Sequence, residues 1–524
     1  MITLLDYGAG NVRSVINALE SFGEKVVLVD SADDIGRADR LVFPGVGNYG
    51  AMMQILRQKQ LIEPLKKYIL ADRPFLGICV ALQALFESSE EAPDEPGLGF
   101  LPGRVKRFTT ELAIPHIGWN GIKVQQPSRI FNGFTGEEKL YFVHSFHVEA
   151  DNAADILTTT DYGYEFVSSI QKGNIVATQF HPEKSGKAGL RILENFLDSS
   201  REAIIPQSCP ETTQLASRII ACLDVRSNDQ GDLVVTKGDQ YDVREKGAVR
   251  NLGMPVQLAR EYYEQGADEI TFLNITAFRD FPLQDMPMLD VLRKTSKNVF
   301  VPLTIGGGIR DFTDRNGKHS TALEVASEYF RSGADKISIG SDAVLIVEEV
   351  LKTGKATGMS SIEQIARVYG NQAVVISVDP RRVYVTSPDA VSHHVIETTV
   401  PGPQGEKYCW YQCTIKGGRE GRNLDAVTLA HVCEQLGAGE ILLNCIDRDG
   451  TNSGFDLELI NAVKEAVTIP VIASSGAGSA EHFLEVFSKT DAEAALAAGI
   501  FHRKEVPIGE VKNVLESQVE IRKG

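Results

Sequence analysis

The segment Arg73-Pro74-Phe75-Leu76-Gly77-Ile78-Cys79-Val80-Ala81-Leu82-Gln83-Ala84-Leu85-Phe86 decides the fold of the N-terminal half. Its first part is a short apolar run typical of a strand, and the apolar residues of its second part have helical spacing. Cys79 is therefore predicted to lie on a tight strand-to-helix turn, the arrangement of a nucleophile elbow. A thiol in that position is close to a helix N-terminus, where the macrodipole favours the thiolate.

A base and a carboxylate follow the cysteine in His181-Pro182-Glu183, about a hundred residues later. The histidine can take the proton of the thiol, and the carboxylate two residues further on can orient the imidazole ring. A lone cysteine is ordinarily an inert buried thiol. The elbow, the histidine and the carboxylate together instead predict that Cys79, His181 and Glu183 form a catalytic triad.

Four motifs contain or surround the predicted triad: Asp6-Tyr7-Gly8-Ala9-Gly10-Asn11, Phe43-Pro44-Gly45-Val46-Gly47-Asn48, Tyr141-Phe142-Val143-His144-Ser145-Phe146 and Gln179-Phe180-His181-Pro182-Glu183-Lys184-Ser185. They resemble the class I glutamine amidotransferases, and over residues 1–198 the glutaminase of the imidazole glycerol phosphate synthase family. The resemblance implies that Gln83, Ser145 and Phe146 hold glutamine. It also implies that a backbone N–H near Val46 or Gly47 completes the oxyanion hole.

Ala81 departs from the pattern of that family, whose elbow is Gly-x-Cys-x-Gly. If the position requires positive φ, alanine costs roughly 1 kcal/mol or more relative to glycine. If it requires only a close approach of strand and helix, one methyl group must be absorbed by small shifts. Ala81 is also the only support for an alternative function, a regulatory scaffold or cyclase whose glutaminase is impaired.

The composition is that of a soluble globular protein of more than one domain. At 524 residues the chain is too long for one ordinary core, and its net charge of −17 argues against nucleic-acid binding, which requires a basic surface. No apolar run approaches the roughly 20 residues that span a bilayer, so no membrane partner is expected. The seven cysteines have neither metal-ligand nor disulfide spacing, which indicates a reducing compartment and no metal site. No cofactor is expected.

The segment that begins at Met1 has the pattern of a strand, with no signal or transit peptide. This favours a cytoplasmic protein, although a plastid form whose transit peptide has been removed stays open. The oligomeric state, including a monomer, also stays open.

Residues 199–216 lack periodicity and include Pro206 and Pro210, as expected for a domain linker. From 217 to 524, short β-branched runs alternate with amphipathic helical stretches. This alternation predicts a (β/α)8 TIM barrel after the α/β domain of residues 1–198. The eight predicted strands are Ile219–Asp224, Glu269–Asn274, Val299–Thr304, Lys336–Ile339, Ala373–Asp379, Glu440–Ile446, Ile469–Ala473 and Ala492–Ala497.

The barrel sequence repeats in two halves. Residues 266–276 align with 437–447, and residues 301–308 align with 469–476. In this register Asp224, which closes the first predicted strand, corresponds to Asp379, which closes the fifth. Barrel active sites form at the C-terminal ends of the strands. One such carboxylate could be a loop cap, but the symmetric pair is expected to face across the mouth as acid and base.

Glycine-rich turns follow four strands in the same twofold pattern. Turns contain glycine for other reasons as well, but exposed backbone amides can hold a phosphate without a basic surface. Two symmetric sets of turns indicate a substrate with a phosphate at each end. The predicted phosphate-binding residues are Gly307, Gly308, Gly340, Ser341, Gly476, Gly478, Ala498 and Gly499.

Residues 217–510 resemble the cyclase of the same family, with longer loops around Thr313–Ser320 and Ser387–Gly421 that resemble those of the fused eukaryotic form. The resemblance places Lys237 beside Asp224, and Asp449 and Gly450 on the opposite wall. It implies that ammonia from glutamine acts on a bisphosphorylated nucleotide, phosphoribulosyl-formimino-aminoimidazole carboxamide ribonucleotide. The products would be imidazole glycerol phosphate and aminoimidazole carboxamide ribonucleotide. A barrel isomerase of the same pathway is an alternative, but the fused glutaminase argues against it.

Charged residues mark the N-terminal ends of four barrel strands: Arg218, Glu269, Lys336 and Glu440. The N-terminal face of such barrels usually serves stability, so a stabilising ion-pair network is one interpretation. The resemblance favours a gate, because ammonia needs a dry route if it is to avoid becoming ammonium. The glutaminase would then dock on the barrel floor, with Lys184 facing Asp335.

Overall fold

The computed structural model describes residues 1–208, 210–236, 244–245, 248–249, 251–275, 283, 286–314 and 316–523. The predicted substrate residue Lys237 lies outside these residues. Among the described residues, no helix is both long and apolar enough to cross a membrane.

The N-terminal half contains one large mixed sheet, a separate two-stranded sheet and helices packed against the large sheet. Its strands are β1 (Ile2–Leu4), β2 (Val26–Leu28), β3 (Leu41–Gly45), β4 (Phe75–Cys79), β5 (Ser88–Ser89), β6 (Gly103–Arg107), β7 (His116–Asn120), β8 (Lys123–Val124), β9 (Leu140–His144), β10 (Phe146–Ala150), β11 (Ile156–Asp161), β12 (Glu165–Lys172) and β13 (Ile175–Thr178). Its helices are α1 (Val12–Glu20), α2 (Ala32–Arg37), α3 (Tyr49–Gln58), α4 (Ile62–Leu70), α5 (Val80–Ala84) and α6 (Gly186–Leu197).

The order of the large sheet, β2-β1-β3-β4-β13-β12-β10-β6-β5, explains why distant motifs meet. Strand β4 is fully buried and pairs in parallel with both β3 and β13. The carboxyl ends of three neighbouring strands therefore meet at one edge. Cys79 ends β4, the Val46 loop follows β3, and His181 follows β13.

The C-terminal half forms the predicted barrel. Its strands are β14 (Arg218–Ser227), β15 (Leu233–Thr236), β16 (Arg244–Glu245), β17 (Ala248–Val249), β18 (Glu269–Asn274), β19 (Leu303–Gly306), β20 (Phe312–Thr313), β21 (His319–Ser320), β22 (Lys336–Ile339), β23 (Val374–Val378), β24 (Pro380–Val385), β25 (Val395–Glu397), β26 (Tyr408–Ile415), β27 (Glu420–Asp425), β28 (Glu440–Asn444), β29 (Val471–Ser474) and β30 (Ala494–Ala497). Its helices are α7 (Pro255–Glu264), α8 (Pro287–Thr295), α9 (Ala322–Ser332), α10 (Ser341–Thr353), α11 (Ser361–Tyr369), α12 (Ala426–Gln435), α13 (Leu457–Lys464), α14 (Ala480–Lys489), α15 (Gly499–His502) and α16 (Ile508–Leu515).

Eight parallel strands close the barrel in the order β14-β18-β19-β22-β23-β28-β29-β30, and β30 pairs back with β14. Four strands start later than predicted. The starts of β19 and β29, at Leu303 and Val471, each follow a proline that has no N–H for a ladder hydrogen bond, whereas β23 and β30 start one and two residues late without a proline. Strand β14 instead runs three residues beyond Asp224, to Ser227, because it forms a hairpin with β15.

The long segment after β23 is an ordered four-stranded sheet of β24, β25, β26 and β27 rather than an irregular loop. Strand β26 contacts the barrel directly. The Thr414 hydroxyl donates to the Asp379 carbonyl over 2.7 Å. The inserted sheet therefore supports the backbone of one of the two predicted catalytic aspartates.

The two halves meet at the N-terminal face of the barrel. The Trp119 indole N–H donates to the Asp268 carbonyl over 3.1 Å, and the Gly186 amide donates to the Phe300 carbonyl over 2.9 Å. The predicted linker has no helix or strand in its described residues. It is held to the glutaminase by antiparallel bridges from Ile204 to Ser128 and from Ala216 to Trp119.

Candidate active sites

Cys79 lies on the predicted strand-to-helix turn, with φ 55° and ψ −109°. This left-handed backbone is uncommon for a residue with a side chain and is typical of a nucleophile elbow. Ala81, by contrast, lies within α5 and does not have positive φ. The positive-φ interpretation of Ala81 is therefore wrong. The close approach of strand and helix falls at Gly45 of β3, where a Cβ would lie 2.2 Å from the Ala81 nitrogen.

His181 and Glu183 are buried beside the turn, with 2.8 Å between His181 Nδ1 and Glu183 Oε1. Burial by itself lowers the pKa of His181, but the Glu183 carboxylate and the Cys79 sulfur outweigh it and raise that pKa well above its usual range. The histidine is thus held in the form that can give a proton to a leaving group.

Gln83, a predicted glutamine ligand, reaches from α5 to the neighbouring strands. Its Nε2 donates to the Phe146 carbonyl over 3.0 Å and to Gln179 Oε1 over 3.1 Å. Phe146 begins β10, and Ser145 directly precedes it. The structure therefore places the three predicted glutamine ligands together beside Cys79.

The Val46 amide, a predicted oxyanion donor, bonds to the Tyr7 hydroxyl over 3.0 Å. Gly47 has φ 110°, and the next amide, of Asn48, donates to the Val368 carbonyl at the end of α11 in the barrel over 3.4 Å. Val46 must change its partner before it can serve an oxyanion. Sequence reasoning missed Tyr7, although it lies in a quoted motif, because its contact with Val46 depends on two neighbouring strand ends.

Asp379 follows β23 at the barrel mouth, and its carboxylate accepts hydrogen bonds from Asn444 Nδ2 over 2.9 Å and the Ser377 hydroxyl over 3.4 Å. Burial is the main cause of a raised pKa at Asp379, and the Asp449 charge adds to it. Asp449 therefore lies near Asp379. Asp224 lies at the same end of the barrel on β14. Sequence reasoning missed Asn444. It could have been identified as a polar residue at the end of β28, the strand that pairs with β23.

The predicted phosphate residues lie in turns or in the first residue of a helix at this end of the barrel. Gly307 and Gly308, after β19, have φ 93° and 79°. Gly476 has φ 101°, and a Cβ there would lie 2.2 Å from the Gly454 carbonyl oxygen, so only glycine fits. The remaining members are Gly340 and Ser341 at the start of α10, Gly478 after β29, Ala498 and Gly499 at the start of α15, and Gly450, with φ 74°.

The four charged residues at the other end form a closed ring. Lys336 Nζ lies 2.8 Å from Glu269 and 2.7 Å from Glu440, and Arg218 pairs with the same two carboxylates. All four side chains are at most 1% exposed. The Tyr141 ring of the glutaminase lies close enough for these charges to affect the pKa of its hydroxyl, which burial raises. The ring of four charged residues therefore closes the barrel axis on the side of the glutaminase.

Lys184 and Asp335 meet as predicted, with 2.7 Å between Nζ and Oδ2. The pair is mostly buried, with the Lys184 side chain 3% exposed and that of Asp335 17% exposed. Asp335 also accepts hydrogen bonds from Asn11 Nδ2 over 2.7 Å and the Leu303 amide over 2.8 Å. One carboxylate thus links the residue after Glu183 to the start of strand β19.

A nucleophile elbow with a histidine and a carboxylate, docked on the floor of a (β/α)8 barrel, defines a glutamine amidotransferase joined to a barrel enzyme. Residues 3–199 match the family described as glutamine amidotransferase class-I, and residues 218–507 match the family described as histidine biosynthesis protein.

Curated relatives extend over the whole chain. Imidazole glycerol phosphate synthase hisHF, chloroplastic, of Arabidopsis thaliana is 59% identical over 100% of this chain and 89% of its own length. The synthases of Emericella nidulans and Schizosaccharomyces pombe are each 54% identical, over 99% and 98% of this chain and 98% of their own lengths. The chain therefore belongs to the imidazole glycerol phosphate synthase family. It is a fused enzyme with a glutaminase and a cyclase domain.

Proposed function

We propose that the chain hydrolyses glutamine at Cys79 and uses the ammonia inside the barrel on phosphoribulosyl-formimino-aminoimidazole carboxamide ribonucleotide. The observation that carries this proposal is the continuity of the two sites. The triad lies on the half that covers the barrel floor, and Lys184, next to Glu183, is paired with Asp335 of the barrel.

In the first reaction the Cys79 sulfur attacks the side-chain carbonyl carbon of glutamine, and the C–N bond breaks to leave a thioester. His181 gives its proton to the departing nitrogen, which leaves as ammonia. Water then hydrolyses the thioester, with His181 as the base, and releases glutamate. Glu183 keeps the imidazole oriented through the 2.8 Å contact.

The ammonia then needs a path that avoids bulk water. The ring of Arg218, Glu269, Lys336 and Glu440 closes the direct path along the barrel axis. Opening requires one cation to leave its carboxylates. Lys336 is the simpler candidate, because its Nζ is a single group on a flexible chain, whereas Arg218 holds both carboxylates with a rigid guanidinium.

At the barrel mouth the two sets of glycine turns hold the two phosphates through backbone amides. Asp224 and Asp379 then give protons to the substrate and take protons from it in three steps. These are the replacement of the formimino nitrogen by ammonia, the cleavage of the substrate and the dehydration that closes the imidazole ring. Asp379 starts as the proton donor, because burial favours its neutral form. The products are imidazole glycerol phosphate, aminoimidazole carboxamide ribonucleotide and water.

We place the enzyme in a reducing compartment, the cytoplasm or a plastid, because its cysteines have no disulfide spacing and those that the structure describes are buried. We propose further that one chain suffices for both reactions, since the triad, the ring and the mouth all belong to it. Sedimentation of the active enzyme at its assay concentration tests this.

The function as a whole is tested by expression in a histidine auxotroph that lacks both activities, with ammonia limiting. Growth is expected from the parent chain and not from Cys79→Ala. Growth from both with ammonia limiting would show that the glutaminase is not used. Growth from neither, with the protein present and with excess ammonium supplied, would contradict the cyclase.

A further inference from the structure

Gln179 lies inside the glutaminase centre, although the chemistry above gives it no part. Its side chain is fully buried. Its Nε2 lies 3.4 Å from Cys79 Sγ, and its Oε1 lies 3.1 Å from Gln83 Nε2. It directly follows β13, two residues before His181. The strand that delivers the base to the cysteine therefore also delivers an amide to the reacting atom.

The orientation of that amide follows from its neighbours. The Phe146 carbonyl can only accept a hydrogen bond, so the Gln83 atom that faces it must be Nε2. The second hydrogen of Gln83 Nε2 points to Gln179, so the Gln179 atom on that side must be the oxygen. The nitrogen of Gln179 is left facing the sulfur, and an N–H donates to it.

The Phe146 carbonyl is itself held by a series of hydrogen bonds through two buried histidines. His144 Nδ1 donates to it over 2.7 Å, which leaves His144 Nε2 to accept from His116 Nδ1 over 3.1 Å. His116 Nε2 then accepts from Asn120 Nδ2 over 3.3 Å. Burial lowers the pKa of both histidines, to about 3 at His144, so each carries one N–H. Each hydrogen bond in this series therefore has only one possible donor.

A hydrogen bond to a thiolate is stronger than one to a thiol, because the acceptor is charged. We propose that Gln179 is a catalytic residue of the glutaminase: its N–H stabilises the Cys79 thiolate, and Gln83 holds the amide in the orientation this requires. The inference rests on the glutaminase function proposed above and adds a fourth group to the triad.

Gln83 also connects this donor to the substrate. Among the described residues Gln83 Oε1 is buried without a partner, so it is an acceptor available to an N–H of glutamine. The same amide that meets the substrate therefore orients the amide that meets the nucleophile. A substrate glutamine that donates to Gln83 Oε1 further restricts the Gln83 side chain, and this side chain orients the Gln179 amide toward Cys79.

The test replaces Gln179 by methionine, which has a similar length and no N–H. The rate of Cys79 alkylation by iodoacetamide is measured against pH by mass spectrometry of the Cys79 peptide. We expect the pH midpoint of alkylation to rise by about one unit, because removal of the donor favours the neutral thiol. Glutamine turnover should fall about tenfold at neutral pH, and ammonia-dependent cyclisation should be unchanged.

Gln171→Met is the matched control. Gln171 lies on β12, and its amide bonds to the Ser128 hydroxyl instead of the active site. This variant should keep the alkylation midpoint of the parent chain. If Gln179→Met does not fold, as judged by loss of ammonia-dependent cyclisation, Gln179→Leu replaces it. Leucine has neither a hydrogen-bond donor nor a charge, so the midpoint should again rise.

An unchanged midpoint in the folded variant, with only KM for glutamine raised, would overturn the proposal and leave Gln179 as part of the pocket wall. Failure of the underlying function looks different. In that case the parent chain itself would show no glutamine hydrolysis, while its alkylation profile would still be measurable.

Discussion

The glutaminase centre and the barrel mouth each hold an ionisable group with a raised pKa, but for opposite reasons. At His181 burial opposes the shift, and the charges of Glu183 and Cys79 outweigh it, so the charged imidazolium is favoured. At Asp379 burial is the main cause, so the neutral carboxyl is favoured. The first site keeps a charge pair ready for attack on a carbonyl, and the second keeps a proton ready for donation.

The two sites also differ in how the backbone supports them. The triad depends on three adjacent strand ends of one sheet, with strain concentrated at Cys79. The mouth depends on glycine turns from both halves of the barrel and on strand β26, which braces the Asp379 backbone. Because the supports are separate, damage to one site should leave the other intact.

The largest expected effect comes from removal of the nucleophile. Cys79→Ala should lower glutamine-dependent synthesis by more than about 10³-fold, because no other group can form the thioester. Synthesis from ammonium salts at high pH should continue, since ammonia from solution can enter the barrel. Loss of both activities in a folded variant would show that the two sites are not separate.

Removal of the proton-transfer groups at the mouth should have the converse result. Asp224→Asn and Asp379→Asn keep the side-chain shape but should each slow cyclisation by about 10²- to 10⁴-fold with either nitrogen source. Glutamine hydrolysis without the nucleotide should stay at the parental rate. Near-normal cyclisation in both variants, measured by product formation, would remove these residues from the chemistry.

Loss of the ion pair between Lys184 and Asp335, which links the two sites, should have an effect of intermediate size. Lys184→Met and Asp335→Asn each leave a buried partner without its counter-charge. We expect stimulation of the glutaminase by the nucleotide to fall about tenfold in each, an energy near 1.4 kcal/mol, with ammonia-dependent cyclisation kept. In the double variant the two losses should not add, because they remove one interaction. Unchanged stimulation in both single variants would contradict a coupling role.

Protonation of Asp379 should also appear in stability. A carboxyl whose pKa is raised by folding costs stability once the pH exceeds its unfolded value, 3.8, because the unfolded chain ionises more readily. Asparagine removes this cost. The unfolding temperature of Asp379→Asn should therefore exceed that of the parent near neutral pH, and the difference should vanish below about pH 4. A lower unfolding temperature at neutral pH would show that the ionised form is the favoured one.

Much of this architecture could be predicted from the sequence, because it depends on local pattern. The turn at Cys79 follows from an apolar run that changes to helical spacing, and the eight strands follow from alternation. The ring of ion pairs follows from charges at the strand starts. The proline positions, read more closely, would also have given the starts of β19 and β29.

The remaining contacts depend on neighbours that are distant in the chain. The bond from Tyr7 to Val46 requires β1 and β3 to be adjacent, and the bond from Gln179 to Cys79 requires β13 to lie beside β4. The burial of Lys184 depends on the docking of the two halves. The inserted sheet was not predicted because the segment contains many turn residues, although its strand β26, with eight residues, is longer than most strands of the barrel.

The smallest expected effect is at Ala81, where the sequence alone indicated a possible defect. Because Ala81 is helical and the tight contact falls on Gly45 instead, glycine at position 81 has no strain to relieve. It would instead free the backbone of α5 at a cost of roughly 0.5–1 kcal/mol. We therefore expect Ala81→Gly to leave glutamine turnover with bound nucleotide unchanged and to lower the unfolding temperature slightly. A clear rise in turnover would show instead that the methyl group displaces Cys79 from its best position, since a shift near 1 Å can cost about a hundredfold in rate.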